Sequence, residues 1–143
     1  SPMDARREPL MRGAVHHVDL TVTDAQASRG FYESVLGFMG YSIVDDRPEF
    51  VDFRLAGQPR FIGIATTSGP NAARAHDRYA PGLHHIAWTA ESRADVDALY
   101  ALLQRMGANV LDAPAEYPQY SPGYYAVFFA DPDGLKLEYV YKP

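Results

Sequence analysis

His16–Val22 reads HHVDLTV, and His84–Ala90 reads HHIAWTA. Four of the five histidines in the 143-residue chain sit in these two doublets, 68 positions apart (85 − 17 = 68). In the first stretch apolar Val18, Leu20 and Val22 alternate with His17, Asp19 and Thr21. In the second, Ile86 and Trp88 alternate with His85, Ala87 and Thr89. A period of two marks a half-buried strand. The same pattern written twice marks an internal repeat, and the repeat decides the fold.

Reading outward from each doublet extends the match. After HHVDLTV, Asp24 is placed to cap a helix over DAQASRGFYESVLG. Ala27, Phe31 and Val35 share a face with Tyr32 and Leu36 beside them, and Gly37 is the expected stop. Three strand-like runs follow, GYSIV, EFVDFRL and RFIGIAT, with DDRP and AGQP read as turns between them. After HHIAWTA, Ser92 and Asp95 form a capping-box variant. The helix SRADVDALYALLQRMG then carries Val96, Leu99, Tyr100, Leu103 and Met106 on one stripe, and Gly107 ends it. Three runs follow again, NVL, GYYAVFFA and LKLEYVY, with DPDG as a tight turn before the last.

Both halves therefore read β-α-β-β-β. The expected fold is α+β, two βαβββ modules forming a cup-shaped sheet with the helices outside. The expected layout is an N-terminal tail over 1–13, module one over 14–66, a linker over 67–83 and module two over 84–143. Within the linker, His76 and Tyr79 are candidates to fold over a site.

Composition narrows the function. The formal charge of −5 argues against nucleic acid and against anionic membrane surfaces, and the basic residues Arg6, Arg7 and Arg12 lie in a polar N-terminal stretch. No apolar run is long enough to span a bilayer. SPMDARREPL lacks the apolar segment of a signal peptide, so a cytoplasmic location is expected. There is no cysteine, which excludes thiol nucleophiles and thiolate ligands. Any metal must be held by histidine and carboxylate, a donor set that admits Zn, Fe, Mn, Ni or Co.

Strand alternation supplies candidate ligands. In LKLEYVY, Leu135, Leu137, Tyr139 and Tyr141 form the face that meets a helix, so Glu138 points to the other side. His17 and His85 likewise oppose the apolar faces of their own strands. Two imidazoles and a carboxylate on the helix-free side form a 2-His-1-carboxylate set for a divalent metal with open positions. His16 and His84 fall on the apolar side or just before the strands, where structural roles are expected. By the same alternation Asp52 and Arg54 face the cup, Arg54 as a holder of an anionic substrate group. Asp19, two residues beyond His17 on the same face, is a candidate base or outer partner. Tyr120 and Tyr124 are candidate hydroxyl donors to a bound oxyanion.

The stretches HHVDLTVTD, FYESVLGF, GLHHIAWTA and DPDGLKLEYV, in that order, resemble the vicinal oxygen chelate superfamily of glyoxalase I, bleomycin-resistance proteins, fosfomycin-resistance enzymes and extradiol dioxygenases. The resemblance runs from about His16 to Tyr141. It implies metal ligands on the first strand of each module and on a last strand, here His17, His85 and Glu138. Superposing LKLEYV on RFIGIA puts Gly63 opposite Glu138, so the chain departs from the four-ligand pattern of glyoxalase I. The resemblance implies a metalloenzyme of lyase, isomerase or transferase type that binds vicinal oxygens of a small substrate. Its alternatives are a metal-free ligand-binding protein and an Fe(II) dioxygenase. Free sheet edges and the habit of short relatives to pair modules imply a homodimer.

Overall fold

The computed structural model describes residues 10–143. Most of the expected tail, with Arg6 and Arg7, lies outside the described residues. The chain divides between Arg74 and Ala75 into two compact units, Ser1–Arg74 and Ala75–Pro143. The order in the first is β1 (His17–Val22), α1 (Ala25–Phe38), β2 (Tyr41–Arg47), β3 (Phe50–Leu55) and β4 (Phe61–Thr66). In the second it is β5 (Ile86–Thr89), α2 (Arg93–Met106), β6 (Asn109–Glu116), β7 (Tyr125–Ala130) and β8 (Lys136–Tyr141). Each unit is one βαβββ module.

The sheets follow one plan. The first runs β1-β4-β3-β2 and the second β5-β8-β7-β6. In each, the first strand pairs parallel with the last and the other neighbours are antiparallel. A parallel neighbour needs a crossover, and the helix supplies it. Each helix then covers one face of its own sheet. Tyr32, Val35 and Leu36 of α1 are buried with Val51, Phe53 and Ile64. Val96, Leu99 and Leu103 of α2 are buried with Val127, Phe129 and Leu137. Tyr139 and Tyr125 point to α2, where their hydroxyls donate to Asp95 at 2.7 Å and Asp97 at 2.6 Å. That fixes the opposite face of the second sheet as the one carrying Glu138.

The caps explain where the helices begin. The Asp24 carboxylate accepts from the amides of Gln26 and Ala27. The Ser92 hydroxyl accepts from the amide of Asp95, whose own carboxylate accepts from the amide of Glu91. Gly107 closes α2 in the left-handed region at φ 66°.

Several local expectations are corrected. Gly37 does not stop α1, which continues through Phe38; the left-handed turn falls at Gly40, φ 101°. The buried stripe of α1 is Ala25, Ser28, Tyr32, Val35 and Leu36, and Ala27 is exposed, because the sheet meets the helix about one position off the apolar stripe. DDRP is not a break: Asp45–Arg47 stay in β2, carried past a bulge between Ile43 and Asp45. NVL is only the start of β6, which runs to Glu116 through two register shifts.

Burial raises the pKa of the Tyr139 hydroxyl, and its bond to Asp95 adds to the effect. The folded state thus favours the neutral phenol. That contribution is complete below the unfolded value of about 10 and is lost as pH climbs above it toward the folded pKa. Urea midpoints taken at about pH 8 and about pH 11 should therefore fall less in Tyr139→Phe than in the parent chain.

Candidate functional site

In the second unit, the helix-free face of β8 presents Glu138 between Ala87 of β5 and Phe128 of β7. Its side chain is only 2% exposed. A carboxylate so buried is costly unless both oxygens find donors. They do. His85 Nε2 lies 3.0 Å from Oε1, and the Tyr124 hydroxyl donates to Oε2. Tyr124 is held up from its ordinary range, first by burial and then by that bond to Glu138. Its proton is committed to the carboxylate.

An aromatic group surrounds this acid. The Tyr117 ring packs edge-on against Phe128 at 5.4 Å and against Tyr124 at 6.3 Å. Tyr120 stacks on Tyr117, centroids 5.4 Å apart and planes within 8°, and is itself 61% exposed. Tyr120 thus offers a ring, while Tyr124 offers a hydroxyl already in use. Sequence reading singles out both but misses Tyr117, whose only signal is its place in the tyrosine-rich run EYPQYSPGYY.

In the first unit the equivalent face carries His17, Asp19, Asp52 and Arg54. His17 pairs across with Phe61, Asp19 with Gly63, and Gly63 in turn with Asp52. His17 stacks flat on Phe61, centroids 4.4 Å apart. Its Nε2 stands 3.6 Å from Asp19 Oδ2. The Asp52 carboxyl is raised, chiefly by burial and then by the charges of Asp19 and Asp45. Asp45 pairs with Asp52 from β2, so three carboxylates share this face. Arg54 is exposed one row along, beside Ser42 and Phe61.

The doublets repeat a contact as well as a sequence. His16 Nδ1 lies 2.9 Å from His17 Nδ1, and His84 Nδ1 lies 2.7 Å from His85 Nδ1. The first histidine of each doublet is the partner of the second, a relation that periodicity alone does not reveal. Tyr79 leans edge-on against His84 at 5.6 Å, whereas His76 is exposed.

The structure thus brings His85, Glu138 and Tyr124 together in one unit and His17, Asp19 and Asp52 in the other. Among the described residues no group of three histidine or acidic side chains is gathered closely enough to hold a metal ion by itself. The donor chemistry still suits one. Each unit presents an imidazole Nε2 beside a carboxylate, the nitrogen-and-oxygen set that first-row divalent ions prefer. No described helix is long and apolar enough to cross a membrane.

The chain belongs to the Glyoxalase/Bleomycin resistance protein/Dioxygenase superfamily, whose family model matches residues 14–139. It is 32% identical over 127 residues to the uncharacterized protein YqjT of Bacillus subtilis (strain 168), covering 88% of this chain and 97% of that one. It is 34% identical over 128 residues to the uncharacterized YaeR of Escherichia coli (strain K12), covering 87% and 92%. A provisionally named glyoxalase from Bacillus halodurans superposes with a TM-score of 0.77 at 27% identity, covering 92% of this chain and 97% of that one. Lactoylglutathione lyase from Agrobacterium tumefaciens superposes at 0.66 with 22% identity, covering 94% and 96%, a likeness of fold alone. Divalent metals are common in this superfamily.

Removing the Tyr124 hydroxyl leaves a buried carboxylate oxygen without its donor. Tyr124→Phe should cost about 1–3 kcal/mol in urea unfolding, the penalty of an unsatisfied buried polar group. Tyr120→Phe, on an exposed ring, should stay within about 0.5 kcal/mol of the parent.

Proposed function

We propose that this chain is a metal-dependent enzyme of lyase, isomerase or transferase type, acting on a small substrate with two adjacent oxygens. The observation that carries the reading is the buried Glu138 carboxylate, with one oxygen against His85 Nε2 and the other against Tyr124. Replacing a buried, paired acid by a hydrophobic residue of similar size is often neutral or stabilising, so Glu138 held against the His85 imidazole points to a role beyond packing. Holding a cation is that role. His17, His85 and Glu138 would supply the ligands, from Zn, Mn, Ni, Fe or Co as the candidate ions.

Such an ion, when bound, lowers the cost of negative charge on the substrate oxygens. The chain's own residues do the rest. Tyr124 keeps Glu138 in one orientation. Asp19 and Asp52 are the carboxylates available to accept a proton, and the raised Asp52 is better matched to that work. Arg54, exposed on the same face, is suited to an anionic substrate group. The free edges of the sheets support a homodimer, for which sedimentation at micromolar concentration is the check.

A second reading has its own support. The exposed Tyr120 ring stacked on Tyr117 is the kind of surface that a flat ligand covers, which favours a metal-free binding protein. The two readings part cleanly in one experiment. Protein purified without chelator and dialysed should retain about one divalent ion per chain, and Glu138→Gln should lose it, with affinity down by at least the 10–100-fold that even an outer partner commands, roughly. Equal, trace metal in both proteins, with tight binding of a planar aromatic compound, would establish the binding protein instead. Catechol-dependent oxygen uptake after anaerobic Fe(II) loading, lost in His85→Ala, would replace the lyase-type reaction with ring cleavage.

A further inference from the structure

Two cations of the second unit have no acid to answer them. Lys136 opens β8 and shares the helix-free face with Glu138, about 7 Å away between Cα atoms. Arg78 lies in the segment before β5. Neither forms an ion pair with a described carboxylate. Glu138 does not neutralise Lys136, because its two oxygens are already on His85 and Tyr124. Arg78 Nε is buried and has no hydrogen-bond partner among the described residues. A buried donor left without an acceptor opposes folding, and in a native protein it calls for a reason other than packing.

A run of ring contacts joins the two cations. Arg78 Cζ lies over the Tyr79 ring, 5.1 Å from its centroid. Tyr79 meets His84 edge-on at 5.6 Å, and His84 Nδ1 lies 2.7 Å from His85 Nδ1. His85 meets Phe128 at 6.3 Å, and Lys136 Nζ stands over Phe128 at 4.7 Å. Every link belongs to the second unit. The charges converge on His84, whose pKa is lowered first by desolvation and then by His85, Lys136 and Arg78. The local potential is positive in a chain whose formal charge is −5, so it belongs to this patch and not to the protein as a whole.

The rings hold the cations without cancelling them. An aromatic face attracts a cation through its quadrupole and carries no charge of its own. Both groups therefore keep a full positive charge for an oxyanion. The outer nitrogens of a guanidinium form a planar fork that suits a carboxylate or phosphate, and the ammonium adds a point charge with three donors.

We propose that Arg78 and Lys136 form an anion-binding site beside Glu138 in the second unit, one that takes the carboxylate or phosphate group of a small organic acid. The site does not rest on the metal reading above. If that reading holds as well, the substrate carries a negative group next to its paired oxygens.

The test is a titration of the full chain with inorganic phosphate and, separately, with acetate, followed by amide NMR at low salt. At least one anion should give saturable shifts centred on Arg78–His85 and Phe128–Lys136. Lys136→Met and Arg78→Gln should each weaken that binding by about tenfold or more, the effect of losing a hydrogen bond to a charged group. Arg105→Gln removes the same charge from the exposed side of α2, on the other face of the sheet, and should change binding by less than about twofold. The spectra also report whether each variant is folded, and Lys136→Arg, which keeps the charge, should retain binding where Lys136→Met loses it.

No saturable shift with either anion overturns the site. So does an Arg105→Gln effect as large as that of Lys136→Met, which would make the attraction one of net charge. Glu138→Gln separates this site from the metal: it should bind the anion at least as tightly as the parent chain. Loss of the anion in Glu138→Gln would mean that the anion sat on a bound ion, and would overturn the site while supporting the metal reading.

Discussion

Everything at the candidate site depends on the parallel pairing of the first and last strand in each unit. The helix after the first strand carries the chain over the sheet, and the meander that follows returns β4 beside β1 and β8 beside β5. Parallel neighbours bring residues from distant parts of the sequence level with each other. Ala87 thereby meets Glu138, and Asp19 meets Gly63. A slip of one residue in the second unit's sheet would send Glu138 into the apolar layer under α2. The apolar contacts of Leu137 and Tyr139 beneath the helix are what hold Glu138 on the other side.

That placement leaves the two units electrostatically unlike. The second buries a single acid and satisfies both of its oxygens. The first sets Asp45, Asp52 and Asp19 in one row across three strands, interrupted only by Gly63. Like charges on neighbouring strands oppose folding. Arg47 reaches Asp45 at 3.2 Å, but this pair is largely exposed and offsets little. A row of acids kept on a face without a helix is a local rule broken, and such breaks gather where a protein works rather than where it packs.

The sequence carried the architecture because the architecture is periodic. Two-residue alternation in HHVDLTV and LKLEYVY tells which side of a strand His17 and Glu138 take, and the Ser92 and Gly107 ends of α2 are local chemistry. What alternation cannot carry is register. The partner of Asp19 on β4 is set by how two strands 44 residues apart (61 − 17 = 44) slide into contact, so the pairing of Asp19 with Gly63 is visible only in the folded sheet. The same holds for Tyr124. Its sequence offers a hydroxyl, and only the fold shows that the hydroxyl is already taken by Glu138. The errors along α1 and β2 are of another kind. Gly37 reads as a stop although a helix tolerates glycine, and Asp45–Arg47 reads as a turn because polar residues on a bulged strand mimic one.

The doublets also obey a rule of proton counting. Two ring nitrogens 2.7–2.9 Å apart must share a single hydrogen, so one Nδ1 donates and the other accepts. In the second unit Glu138 breaks the tie. A carboxylate only accepts, so His85 in its neutral form carries its hydrogen on Nε2, its Nδ1 is bare, and His84 is the donor. In the first unit the nearest acid stands at 3.6 Å, beyond a hydrogen bond, and either ring of the His16–His17 pair satisfies the count. Two doublets identical in sequence are therefore unequal in direction: the buried acid gives one a fixed polarity, and the other can be reversed by whatever next claims the lone pair of His17.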